Sequence, residues 1–420
     1  MSRICYFLSG FLLFGMILPA QLKAEKLVVT SDFEGGSAQV TEIDQRKRAI
    51  TIRPAGDPQF GWPCWWYFQV TGITPGEEIS VTVDASDLKQ ANGRKFSAIW
   101  ALPNQAAFST NQKEWQQTPL GIRNKETCQW KVKIDANNVW FAWGPPFIPT
   151  DAQELVKELS KKHAHATAFE LCKTRAGRAV PALSVIQAKH EKDAQRMVIW
   201  VQARQHAWES GGSWVGRGFI KWAVSDDPQA VSLREKADIY FVPIMDIDNV
   251  ATGNGGKSQV PHDHNRDWTK TSRWNSVKSA MQYLKEFDQA KRLVLFVDLH
   301  NPGANSKLPF FYVAPPELST KRGGQLQAAF IAACRREMKT PFRLSKSTPS
   351  TGPKYDKRWK AISSNWVRSE THEYVVGITL ETCWNTPHST TAGYMAVGKQ
   401  LGRGITRYLE NDPRKSHDFD

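Results

Sequence analysis

Four side chains in this sequence are of the types that do metal-assisted hydrolysis, and each follows an apolar run of the kind that forms a buried strand. His206 and Glu209 stand three apart just after the run ending near Val201, and an imidazole and a carboxylate so placed can turn toward one cation. His300 closes the run Leu293 to Leu299. Two His and one Glu leave a fourth coordination position for water, the pattern of a catalytic rather than a structural zinc site. Asp298 precedes His300 by two residues, so the period of a strand puts both on one side, where the aspartate can orient the imidazole or cap the strand end. Glu381 follows the run Val375 to Leu380, and a carboxylate at the mouth of a buried strand can serve as a general base.

Taken singly these signals are weak. An HxxE pair also arises as a surface pair near a loop, and a His or Glu at a strand end is often no more than a satisfied polar group.

The elements that must position these residues fall into two kinds. From Leu27 to about Trp143 the sequence alternates with period two in short segments, Gln39 to Ile43, Ala49 to Arg53, Trp65 to Val70, Ile79 to Val83 and Trp130 to Ile134, which predicts an antiparallel β-sandwich. The proline-rich stretch Gly144 to Pro149 breaks that pattern, and Thr150 with Gln153 offers a capping box for a following helix. Beyond it, apolar runs at Met197 to Val201, Ile239 to Pro243, Leu293 to Val297 and Val375 to Leu380 alternate with helical stretches near Trp274 to Lys291 and Gln325 to Met338. That rhythm predicts an α/β domain with a mixed, largely parallel sheet flanked by helices. The expected division is a signal peptide over 1–24, the sandwich over 25–145, the catalytic domain over 146–412 and a frayed tail over 413–420.

The order and spacing of His206 to Glu209, the string His264-Asn265-Arg266-Asp267-Trp268, Asp298 to His300 and Thr379 to Glu381 resemble the carboxypeptidase A superfamily of zinc carboxypeptidases. Together with Asp32-Phe33-Glu34-Gly35-Gly36 and Trp65-Trp66-Tyr67-Phe68, they are most similar to its cytosolic carboxypeptidase, deglutamylase-like branch. The resemblance implies one Zn2+ per chain held by His206, Glu209 and His300, with Glu381 as general base. It also implies that Asn265 and Arg266 hold the terminal carboxylate of a peptide or protein, a task for which the planar fork of Arg is suited. Asp263 matches an aspartate that bonds the first zinc histidine.

The departures are as informative. Asp246-Ile247-Asp248-Asn249 replaces the branch's Asn-Pro-Asp-Gly string, and the position of its carbonyl-polarising Arg falls on Gly256, beside Lys257. Lys257 can supply that positive charge as a point rather than a fork, or be a solvated lysine on a loop freed by Gly253-Asn254-Gly255-Gly256. The acid-selecting Arg of the branch falls near Asn365, with Arg368 close enough to substitute. Tyr355 lies in the region of the family's mobile tyrosine.

Composition bounds the remaining classes. The 420 residues carry 41% hydrophobic and 23% charged residues and 17 Trp, enough to bury substantial cores. Arg3 before an apolar run from Tyr6 to Ala20, with Ala24 after it, reads as a signal peptide of an exported, periplasmic or secreted protein, the alternative being an uncleaved anchor. No comparable run recurs, so no stable membrane span is expected after cleavage. Removing Arg3 and Lys23 takes the net charge from +14 to +12, a balance that agrees with acidic substrates. Lys and Arg are scattered among acids, which argues against nucleic acid as a partner. Cys64, Cys128, Cys172, Cys334 and Cys383 allow one or two disulfides but show no framework, and no feature specifies an oligomer. Three alternatives remain: an amidohydrolase or deacylase on the same fold, a peptidoglycan-peptide carboxypeptidase, and a non-catalytic binding protein. A serine hydrolase is disfavoured because Gly212-Ser213-Trp214-Val215-Gly216 lacks the leading spacing of a nucleophile elbow.

Overall fold

In the computed structural model, Met1 and residues 25–187 and 196–415 are described. The expected signal peptide and the last five residues of the chain lie outside them, save for Met1. Among the described residues no helix is long and apolar enough to cross a membrane.

The alternating segments form two five-stranded sheets. One runs β1 (Val28–Thr30), β4 (Tyr67–Thr71), β10 (Asn138–Ala142), β6 (Ala107–Ser109) and β7 (Gln116–Gln117); the other runs β2 (Gln39–Asp44), β3 (Ala49–Arg53), β5 (Glu77–Asp84), β9 (Thr127–Ile134) and β8 (Ile122–Asn124). Alternate residues enter one shared core: Ile79, Val81 and Val83 from β5, Trp130 and Val132 from β9, Phe68 and Val70 from β4, Val139 and Phe141 from β10. The pairing is antiparallel except between β3 and β5, which run parallel.

The chain leaves β10 at Ala142 and enters α1 (Pro149–Lys162). The helix does not start on Thr150: Ile148 is the cap residue, its N–H donating to Asp151 at 2.8 Å, and Pro149 takes the first helical position, where a missing N–H costs nothing. A seven-stranded sheet follows in the order β11 (Ala166–Lys173), β12 (Ala179–Val185), β14 (Ala237–Val242), β13 (Met197–Ala203), β15 (Leu293–His300), β17 (Val376–Glu381) and β16 (Phe310–Tyr312). The four central strands are mutually parallel, and β11, β12 and β16 join antiparallel. β13 and β15 are buried along their whole length, which is why they read as unbroken apolar runs. The helices are α2 (Ser210–Ala223), α3 (Pro228–Lys236), α4 (Ile247–Ala251), α5 (Asn275–Gln289), α6 (Lys321–Glu337), α7 (Ser363–Glu370) and α8 (Thr391–Tyr408).

Three expectations are corrected here. The five described cysteines are all free. The start of the tail is not frayed, because Arg322 donates to the carbonyls of Pro413, Arg414 and Lys415 and Arg414 pairs with Asp412 at 2.7 Å. The glycine-rich loop before Lys257 is not free: Gly256 donates to Phe60 at 2.8 Å and Trp62 to Lys257 at 2.9 Å, stitching the loop to the sandwich. Gly256 has φ +75°, and a Cβ there would lie 2.4 Å from Asp246 Oδ2 and 2.7 Å from Ala207 N, so the glycine answers a close approach.

Candidate metal centre

The register of the central strands assembles the site. Asp298 pairs with Thr379 and His300 with Glu381 across β15 and β17, so the period of two places all four on one face at the carboxyl edge of the sheet, where ligands of open α/β sheets bind. β13 ends at Ala203, and the chain turns so that His206 and Glu209 reach the same edge, with Glu209 directly before α2. Arg204 sets that turn. It is buried, has φ +64°, and donates to the Ala207 carbonyl at 2.7 Å and the Phe147 carbonyl at 3.0 Å.

His206 Nδ1 lies 2.8 Å from one oxygen of Glu209, and His300 Nδ1 lies 2.7 Å from the other. One ligand atom from each of the three residues falls within 4.8 Å of the others. The opposite ring nitrogens face aspartates: His300 Nε2 is 3.0 Å from Asp298, and His206 Nε2 is 3.7 Å from Asp263. Each imidazole is thus oriented from behind by a carboxylate, as metal-bound histidines are. Asp298 is itself held by Ser363 Oγ at 2.6 Å and by Gln205 Nε2, and Gln205 accepts from Trp268 Nε1 at 2.7 Å. Ser258 N–H donates to Asp263 at 2.9 Å.

Three acids and two imidazoles packed together need compensating charge. Burial works against the ionised form of Glu209, yet His206 and His300 hold its pKa well below the ordinary carboxylate range. Burial opposes the charge of His300, and Asp298 and Glu209 still push its pKa well above the usual value. Asp263 is likewise lowered against its burial, by His206 and then Arg266. Glu381 differs: burial raises it to about 8, with His300 pulling the other way. Its Oε2 and the Nε2 of His206 are buried without a hydrogen-bond partner among the described residues. Two imidazole nitrogens, one carboxylate and orphaned polar atoms beside them fit a divalent cation of the zinc type.

The site opens into a cavity of about 290 Å3. Asn265, Arg266, Lys257 and Glu381 line it with the three metal-ligand candidates, as do Tyr312 and Tyr355. Asn265 Oδ1 accepts from Ser363 N–H at 2.9 Å, and its Nδ2 lies 3.4 Å from His300 Nε2. Arg266 gives Nε to Asp356 at 3.0 Å and Nη1 to its neighbour's carbonyl at 2.9 Å, and its guanidinium sits 5.8 Å from the Tyr355 ring. Lys257 Nζ sits 5.2 Å from the Trp62 ring.

Arg368 is a correction. It lies in α7, away from the cavity, and donates to the carbonyls of Val375 at 2.7 Å and Glu373 at 3.4 Å, at the opposite end of β17 from Glu381. Ser213 is equally remote from any nucleophilic role, being inside α2 and donating to the Pro243 carbonyl at 2.8 Å. Sequence reasoning missed Trp62 and Trp100, which reach the cavity from the sandwich, and Ser363 and Gln205, which fix Asp298. The aromatic density around Trp62 was the one available signal.

Two family models match consecutive stretches of the chain: the cytosolic carboxypeptidase N-terminal domain over residues 29–143 and the zinc carboxypeptidase over residues 152–290. The chain belongs to the zinc carboxypeptidases. Within them it is similar to Cytosolic carboxypeptidase 6 of Caenorhabditis elegans, 30% identical over 301 residues, covering 67% of this chain and 63% of that protein. It is also similar to Cytosolic carboxypeptidase 3 of Mus musculus, 23% identical over 345 residues, covering 77% of this chain and 33% of that protein. The chain spans only 29% to 41% of the length of the first curated relatives it matches. A metallo-carboxypeptidase structure from Burkholderia cenocepacia superposes with a TM-score of 0.77 at 20% identity, covering 92% of this chain and 99% of that one, a likeness of fold.

These relatives overturn the expectation of export. They are named cytosolic carboxypeptidases, and the apolar run Tyr6 to Ala20 on which a signal peptide and a periplasmic or secreted protein rested reports hydrophobicity alone. The peptidoglycan-peptide alternative assumed export and falls with it.

Proposed function

We propose that the protein is a zinc-dependent metallocarboxypeptidase that removes the C-terminal residue of peptides or proteins. The observation that carries the reading is the convergence, in one cavity, of the His206, Glu209 and His300 ligand set with Glu381 and the Arg266 fork.

His206, Glu209 and His300 would hold the ion, with Asp263 and Asp298 fixing the two imidazoles. When bound, zinc supplies Lewis acidity, which polarises the scissile carbonyl and makes water easier to deprotonate. The residues of the chain do the rest. Arg266 and Asn265 hold the substrate's free α-carboxylate, Asp356 keeping the guanidinium in place through Nε, so that the last peptide bond lies over Glu381. Glu381 accepts a proton from the attacking water and returns it to the departing amine nitrogen. Lys257 contributes positive charge toward the carbonyl oxygen as it becomes an oxyanion. An acidic C-terminal preference, suggested by net charge and by Arg368, has lost the second of those supports.

The test uses zinc-loaded protein and a blocked peptide with either a free or an amidated C-terminus. Only the free acid is expected to release its last residue, and Arg266→Ala is expected to lower kcat/KM on it by about 100-fold or more, because a buried carboxylate then loses its partner. Equal turnover of the amide, or no effect of Arg266→Ala, would instead support an amidohydrolase or deacylase.

A further inference from the structure

The wall of the cavity behind Asn265 and Glu381 consists of Thr351, Ile362 and Thr379, each at most 4% exposed. It is one knitted unit. Ser363, directly after Ile362, donates to Asn265, and Asn365 ties Thr351 to the same turn. Thr379 lies two residues before Glu381 on β17 and donates to Ser364 Oγ at 3.3 Å. A C-terminal residue with its carboxylate on Arg266 and its peptide bond over Glu381 points its side chain at this wall.

From these contacts, and resting on the carboxypeptidase reading above, we infer that the wall of Thr351, Ile362 and Thr379 selects an uncharged aliphatic or hydroxyl C-terminal side chain and rejects glutamate and aspartate. The hydrogen-bond directions make the case. Asn365 Nδ2 donates to the carbonyls of Thr351 at 2.9 Å and Trp359 at 2.8 Å, which fixes its Oδ1 as the acceptor of the Thr351 hydroxyl at 3.0 Å. A hydroxyl carries one proton. Thr351 and Thr379 have both committed theirs within the protein, so toward the cavity they offer methyl groups and lone pairs, and Ile362 offers only hydrocarbon. None can donate to a carboxylate.

Nor does the cavity provide a spare lysine or arginine. Among its lining residues these are Arg266 and Lys257 alone. Arg266 is used by the α-carboxylate, and Lys257 stands on the wall shared with the sandwich, over Trp62. Arg368 is spent on backbone carbonyls elsewhere. A glutamate side chain would therefore be buried without donor or counter-ion, beside Glu381, at a cost of several kilocalories per mole.

The experiment measures kcat/KM of the zinc-loaded enzyme on blocked peptides that differ only in ending with Leu, Thr, Glu or Lys, with the amidated Leu peptide as control. Leu and Thr are expected to exceed Glu by at least about 30-fold, the ratio corresponding to about 2 kcal/mol. Glu equal to or better than Leu overturns the inference. The same ranking is read as binding affinity in zinc-loaded Glu381→Gln, so peptides that bind in the expected order without turnover in the wild type would remove the proposed function and leave the pocket assignment standing. Equal affinities, or tighter binding of the Glu peptide, would overturn the assignment. Ile362→Arg, if folded, is expected to shift the Glu to Leu ratio toward Glu by at least about tenfold, and an unchanged ratio would count against the inference. Should that variant not fold, the wild-type ranking decides.

Discussion

At the inner end of the cavity, His300 and Glu381 project from adjacent parallel strands in fixed register, and His206 and Glu209 from the turn that follows a third. At its mouth, Trp62 and Trp100 arrive from loops of the sandwich, more than a hundred residues earlier in the chain. The first region draws its precision from a sheet whose strands cannot slip without reversing every side chain. The second draws it from stitching: Gly256 to Phe60, Trp62 to Lys257, and an aromatic cluster in which Trp208, between the two ligands of the HxxE string, packs against Trp143 with ring centroids 5.1 Å apart and against Trp100 at 5.8 Å. The contrast assigns chemistry to strand ends and access to loops lent by the other domain, with Trp208 joining the two.

Substitutions can break that division. Glu209→Ala should have the largest effect: the carboxylate that faces both imidazoles is gone, and zinc content measured by atomic absorption should fall to background together with activity. Retention of stoichiometric zinc would refute the ligand set. Asp298→Asn keeps the shape but weakens the support behind His300, and about a 10- to 100-fold loss of zinc affinity is expected in competition with a chelator. An unchanged affinity would mean that the strand positions His300 unaided. Trp62→Ala should be mildest, removing the ring over which Lys257 sits and changing KM by about two- to fivefold with zinc content intact. A loss of zinc in that variant would erase the distinction between the two regions.

The same contrast explains what the sequence made legible. His206, Glu209, His300 and Glu381 could be found because each follows an apolar run directly, and a buried parallel strand delivers whatever follows it to one edge of the sheet. Asp298 was legible for the same reason, through strand periodicity. Arg368 misled because it sits in α7, where a shift of three residues from Asn365 rotates the side chain to another face and sends it to the carbonyl of Val375. Asn365 itself serves the wall of the pocket, holding Thr351 in a way that no spacing discloses. Lys257 was read as sitting on a loose loop because glycines permit freedom, whereas here Gly256 meets a requirement for close contact with Asp246 and Ala207. Trp62 was invisible as a cavity residue because its neighbour Lys257 is nearly two hundred positions away. Contacts between domains leave no periodic trace in a sequence.

Measuring zinc content and C-terminal hydrolysis side by side in the wild type and in Glu381→Gln tests the central claim most directly. One zinc per chain in both proteins, with turnover of a free-acid peptide reduced by about a thousandfold in the variant, is the predicted result. Turnover undiminished in Glu381→Gln, or a wild-type protein that binds no zinc, would contradict it.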